Sequence, residues 1–209
     1  MPQAPAAPHF RYERQFVKKA VWPVAGMDEV GRGPLAGPVA AAAVILNPAR
    51  LPRGVNDSKA LTAEAREAAY HEIMRHAVAV SVAFVSAAEI DVINIRQASL
   101  AAMRRSLAAL ALAPRYVLVD GNDLPQALCC EGETIIGGDA RSLSIAAASI
   151  VAKVSRDRLM ARLCRLYPAY GFSRHFGYAT PEHLAAIRRH GACAYHRMSF
   201  SPFKAATAA

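Results

Sequence analysis

The chain is predicted to fold as an α/β protein, a mixed sheet with helices packed against it. Two apolar runs, 24–27 and 39–46, are separated by a segment punctuated with Gly33-Pro34 and Gly37-Pro38, which reads as a reversal between paired strands. Beyond residue 60, strand-like runs alternate with segments of helical periodicity, so hairpin pairing gives way to helices laid on the sheet. The length of 209 residues, with 54% hydrophobic and 20% charged, supplies one domain with a sizeable core.

Each element has its own warrant. Residues 1–20, Pro-rich and then charged, lack helical periodicity and are expected to form a loose basic arm. The run 39–46 reads as a buried strand, and Asn56-Asp57-Ser58-Lys59 as a polar loop. Thr62 is a candidate N-cap for a helix over 63–76, where Ala65, Ala69, Ile73 and Ala77 recur at helical spacing. Residues 78–85 alternate as a strand does. Ser86 with Glu89 forms a capping-box pattern opening a helical region to about 110, broken near Asn94. Short strands are expected at 116–119 and 134–136, a long helix over 142–166, and a last helix begun by Thr180-Pro181 and stopped by Gly191.

Several classes fall away. The longest charge-free apolar stretch, 33–49, has 17 residues and four interruptions by Pro34, Gly37, Pro38 and Pro48; a membrane-spanning helix needs about 20 apolar residues. The N-terminus holds prolines where a signal peptide would carry its apolar core. Cys129, Cys130, Cys164 and Cys193 contain no C-x-x-C pair, and adjacent cysteines suit neither a zinc knuckle nor an ordinary disulfide frame. A reduced, cytoplasmic, soluble chain is expected, with nothing demanding more than a monomer. The net charge of +9 is uneven: residues 1–152 hold 15 basic and 14 acidic residues, residues 153–209 hold 10 and 2. A polyanion-binding face is therefore expected in the last quarter of the chain.

The seven Asp are informatively placed. Asp28 and Glu29 follow an apolar strand, Asp120 ends the run 116–119, and Asp139 follows Ile135-Ile136-Gly137-Gly138. Turn chemistry alone also accounts for Asp120 and Asp139 taken singly. Jointly, carboxylates at separate strand ends can converge at one edge of a sheet, where they repel one another unless cations neutralise them. An all-oxygen site suits Mg²⁺ or Mn²⁺, and two such ions facing a basic surface point to attack of water on a phosphodiester.

Whole blocks of the chain also carry a resemblance. The run from Met27-Asp28-Glu29-Val30-Gly31-Arg32-Gly33-Pro34 to Val39, then Asp120-Gly121-Asn122, then Gly138-Asp139 ahead of 145–154, is similar to ribonuclease HII, the type 2 ribonuclease H of bacteria. The loop 56–59, the segment from Tyr170-Gly171-Phe172 to Gly177-Tyr178, and His196-Arg197-Met198-Ser199-Phe200 agree as well, so the likeness covers residues 22–203. Ala146 departs, standing where the family more often has Ser. The resemblance implies a ribonuclease H-like fold over 21–203, with a C-terminal helical extension from about 168 and a tail at 204–209. It implies four metal-binding catalytic carboxylates, Asp28, Glu29, Asp120 and Asp139, and two divalent ions, Mg²⁺ or Mn²⁺. The implied reaction is hydrolysis of RNA in RNA–DNA hybrids and incision 5′ to single ribonucleotides in duplex DNA, leaving 3′-hydroxyl and 5′-phosphate ends.

Reading a ribose requires contact with its 2′-hydroxyl. The resemblance assigns this to Gly31, Arg32 and Gly33 with Tyr178; a plain turn and a core aromatic are the alternatives. Ser58, Lys59, Lys153 and Arg156 are further substrate-binding candidates, the last three through phosphates. Arg158, Arg162 and Arg165 form a basic helix stripe that serves either solvent or the duplex. The histidines, among them His175, His183, His190 and His196, are expected in supporting or surface roles. Rival readings are a metal-independent ribonuclease with paired histidines and a non-catalytic hybrid-binding module.

Overall fold

The computed structural model describes residues 7–205. Residues 1–6 of the expected arm and 206–209 of the expected tail lie outside them. The sheet has the order β3-β2-β1-β4-β5, from β1 (Val24–Val30), β2 (Val39–Leu46), β3 (Ala77–Val85), β4 (Tyr116–Asp120) and β5 (Glu131–Ile135). β1, β2 and β3 pair antiparallel, whereas β4 joins β1, and β5 joins β4, in parallel. The sheet is mixed, as expected.

β2 is buried along its whole length, which explains a run without polar alternation: both faces are covered. Its odd-numbered residues, with Ala25 and Met27 of β1 and Val117 and Val119 of β4, pack beneath α3 (Ala87–Ile93) and α4 (Ile95–Ala108). Ala42, Val44 and Leu46 pack against α2 (Ala63–His76) and α5 (Leu143–Leu166) on the other face. The break between α3 and α4 falls at Asn94, at φ 66°, where its side chain accepts from Gln97 N. Thr62, Ser86 and Thr180 cap their helices as expected. After α5 the chain continues through α6 (Phe172–His175) and α7 (Pro181–His190).

Two expectations are corrected. Residues 11–18 form a helix, α1 (Arg11–Lys18), rather than a loose arm. Phe16 stacks on Tyr116 at 4.0 Å. Glu13 is fully buried, and its Oε1 accepts from Ser142 Oγ at 2.6 Å, Ser144 N at 2.9 Å and Ser144 Oγ at 2.5 Å. Ser142 in turn caps α5, so α1 is tied to the start of the central helix. The second correction is β5, which begins at Glu131 rather than at residue 134. Its glutamates lie on an outer strand, a placement that opposes pairing with another sheet edge.

The two layers touch at Gly26. A Cβ there would lie within the backbone of Ser144 and Ile145, so α5 rests on β1 main chain to main chain. Gly26→Ala is expected to force α5 off the sheet, destabilising the protein by about 3 kcal/mol or more. A urea midpoint within experimental error of wild type would show that the layers can part without loss.

Candidate active site

Neighbouring residues of a strand project to opposite faces. Asp28 shares the face of Gly26, toward α5, and Glu29 turns toward α4. Asp28 is buried, with Oδ1 accepting from Glu29 N at 2.7 Å. The Ser149 side chain, on α5, lies beside it and opposes part of the rise in its pKa. Asp120 ends β4, alongside β1, and its Oδ1 accepts from Gly138 N at 2.7 Å. Asp139 lies in the 3-10 turn Gly138–Ala140 that leads into α5. One carboxylate oxygen from each of Asp28, Asp120 and Asp139 lies within 4.8 Å of the others. Glu29 stands outside that trio. It borders an adjacent cleft with Asp120, Arg32, and Arg96 and Ser99 of α4, and accepts from Arg32 at 3.3 Å.

The charge is poorly compensated. Burial raises the Asp28 pKa well above its ordinary value, and Glu29 and Asp120 add to the rise. Asp139 is raised by burial, then by Asp120 and Asp57, against a smaller opposing effect from Lys59 at 3.8 Å. Burial also raises Glu29, with Arg32 opposing. For Lys59, burial disfavours the ammonium, yet Asp139, Asp28, Asp57 and Asp120 outweigh it and hold its pKa up. Three converging carboxylates without a nitrogen or sulfur donor form an oxygen-only set, which suits a hard divalent cation and not zinc.

The remaining candidates divide. Lys59 is exposed at the rim. Ser58 is buried, sharing a 2.8 Å hydrogen bond with Ser149 behind Asp28. Arg32 and Gly33 are exposed, and a Cβ on Gly33 would meet only Tyr178, at 3.7 Å from Cε1. Gly31 is buried, with φ +91°, and a Cβ there would overlap the Arg156 side chain. Internal packing therefore requires that glycine. Tyr178 exposes its ring, while its N–H donates to His175 O at 2.9 Å and its carbonyl bonds His183 Nδ1 at 2.8 Å. Lys153 pairs with Asp157 at 2.9 Å and lies over the Phe176 ring.

Arg156 corrects its assignment. It is fully buried and donates to the carbonyls of Pro38, Phe176 and Ala36 at 2.9, 3.0 and 3.1 Å, so it holds a turn instead of a phosphate. His175, His183 and His196 are buried and bonded to backbone or to one another. That removes them as the exposed pair a metal-independent mechanism would need. Arg197 is not singled out by residue-level reasoning, although it lies within the matching block 196–200; it too is fully buried.

A family model described as ribonuclease HII matches residues 25–203. The chain belongs to the ribonuclease HII family. It is a ribonuclease H, of a family that hydrolyses the RNA strand of RNA–DNA hybrids and depends on divalent metal. The ribonuclease HII of Sinorhizobium medicae is 57% identical over 203 residues, covering 97% of this chain and 94% of that one. That of Rhizobium meliloti is 58% identical over 202 residues, covering 97% and 93%. The crystal structure of ribonuclease H2 from Pyrococcus horikoshii OT3 superposes with a TM-score of 0.73 at 26% identity, covering 87% of this chain and 95% of that one. The fold is ribonuclease H-like. No helix among the described residues is long and apolar enough to cross a membrane.

The raised Asp28 pKa has a consequence for stability. A carboxyl whose folded pKa exceeds its unfolded value binds more protons when folded, so its ionisation opposes folding as pH rises through that window. At neutral pH in chelator, Asp28→Asn is expected to raise the melting temperature. Mg²⁺ or Mn²⁺ should stabilise wild type but stabilise the variant far less. A variant melting lower than wild type in chelator, or gaining equally from the ions, contradicts this electrostatic account.

Proposed function

We propose that the enzyme incises duplex DNA 5′ to a single embedded ribonucleotide, as well as cutting RNA–DNA hybrids, by divalent-ion-assisted attack of water. The convergence of Asp28, Asp120 and Asp139 within 4.8 Å carries this reading. Asp28, Asp120 and Asp139 would hold one ion. Glu29 and Asp120, which border the same cleft, would contribute to a second. Two Mg²⁺ or Mn²⁺ ions so held would supply activation of the attacking water and stabilisation of the leaving 3′-oxygen.

The chain's own residues do the rest. The Glu29 and Gly138 N–H groups hold the Asp28 and Asp120 carboxylates in orientation. Lys59, at the rim, meets a non-bridging phosphate oxygen. Arg32 and Gly33 are exposed and Gly33 adjoins Tyr178, so a ribose lying against Gly33 is within reach of the ring and its hydroxyl. The phosphorus–O3′ bond breaks as water adds, leaving a 3′-hydroxyl upstream and a 5′-phosphate on the ribonucleotide. A partner duplex containing ribonucleotides suits the excess of basic residues after 152.

Asp28→Asn is expected to lower Mg²⁺-dependent cleavage by about a hundredfold or more while hybrid binding persists. Substantial turnover by the variant would remove the assignment. End-mapping on a duplex with one ribonucleotide should give 3′-hydroxyl and 5′-phosphate ends with Mg²⁺ and no product in chelator; cyclic phosphates would point to a different reaction. Tyr178→Ala is expected to slow incision at a lone ribonucleotide about tenfold or more, the loss of one stacking contact. Rates matching wild type on that substrate would exclude a sugar-contacting ring.

A further inference from the structure

The loop from Gly31 to Pro38 runs from the strand of Asp28 into β2, and two fully buried arginines lie beneath it. Arg197 donates to Gly31 O at 2.6 Å, to Arg32 O at 2.8 Å, and to Gly37 O at 2.9 and 3.0 Å. Arg156 takes the neighbouring carbonyls of Ala36 and Pro38. Among the described residues neither guanidinium has a carboxylate as a hydrogen-bond partner; both rest on peptide oxygens. Burial, and then the neighbouring Arg156, push the Arg197 pKa down to about 9, so it remains a cation at neutral pH.

In a trans peptide the C=O and the next residue's N–H point in opposite directions. With Gly31 O and Arg32 O drawn inward onto Arg197, the N–H groups of Arg32 and Gly33 face outward. Both residues are exposed, and Gly33 adjoins the Tyr178 ring. A lysine has one compact ammonium and cannot span three carbonyls as a planar fork does.

We propose that Arg197 is a positioning residue for ribose recognition: it turns two peptide planes so that the Arg32 and Gly33 N–H groups meet the 2′-hydroxyl and adjoining phosphate. The role rests on the assignment of sugar reading to Gly33 and Tyr178. Arg156 supports the same loop from its other end. Arg197 touches no substrate itself.

Two measurements test this. The first compares Arg197→Lys with wild type in chelator, titrating an all-DNA duplex and the same duplex with one ribonucleotide. The ratio of the two Kd values is expected to exceed one in wild type and to fall at least threefold toward one in the variant. A general loosening of the protein would weaken both duplexes equally. An unchanged ratio in a folded variant overturns the positioning role, whereas a ratio of one in wild type overturns the sugar-reading assignment beneath it. The second uses wild type alone and is immune to misfolding of the variant. Hydrogen exchange at the Arg32 and Gly33 amides should be fast in the free enzyme and slowed by the ribonucleotide-containing duplex more than by the all-DNA one. Amides already protected in the free enzyme would show that they face inward, and the proposal falls.

Discussion

The contact between β1 and α5 at Gly26 sets the geometry of the site. With no side chain between them, the first turn of α5 lies directly on the strand. From Ile145 to Ser149 the helix advances about 6 Å, at 1.5 Å per residue. From Gly26 to Asp28 the strand advances about 6.6 Å. The two progress together, so the Ser149 side chain comes beside Asp28. The 3-10 turn carrying Asp139 leads into the cap of α5, so the depth at which α5 sits also sets how close Asp139 comes to Asp28. Gly138 adds a second close approach, wedged between Ile145 and Asp120. α1 reinforces the arrangement from outside through Glu13, which fastens the helix start that these contacts depend on.

Around this scaffold, like charges are gathered and satisfied locally by neutral groups. The Asp28 and Asp120 carboxylates accept from peptide N–H groups; the buried arginines donate to peptide oxygens. Hydrogen bonds hold each group in place but do not cancel its charge. Asp28 and Asp139 therefore keep a raised proton affinity, and the loop beside them keeps a buried positive field. Under the proposed function a divalent cation would complete the first and a phosphate backbone the second, each relieving an unfavourable free state.

Much of this is legible in the sequence, and the exceptions share a cause. β2 and the Asn94 break can be read because apolar runs and capping residues speak directly of local structure. α1 cannot, because its inward anchor is Glu13; a buried glutamate removes the apolar stripe that reveals a helix. β5 looks shorter than it is because Glu131, Gly132 and Glu133 are poor strand formers, and their place on the outer strand follows from topology. Asp28 and Glu29 read as one cluster when the strand is ended at Met27. β1 continues through both, and alternation sends them to opposite faces. The two glycines flanking Arg32 look equivalent in a motif. Only packing shows that Gly31 makes room for Arg156 while Gly33 leaves room beside Tyr178.

The same distinction recasts the basic C-terminal quarter. As composition, 10 basic residues against 2 acidic ones describe a surface for a polyanion. In the fold, Arg156 and Arg197 turn inward, and Lys153, Arg158 and Arg174 pair with Asp157, Glu67 and Glu182. Arg162, Arg165, Arg188 and Arg189 are exposed, with no ion pair among the described residues. Exposed arginines contribute long-range attraction that salt screens and that does not distinguish ribose from deoxyribose. The inward pair acts at short range, through peptide planes whose orientation salt does not alter. Charge that looks uniform in the sequence thus separates into an exposed part that, under the proposed function, would gather the duplex and a buried part that shapes the Gly31–Pro38 loop.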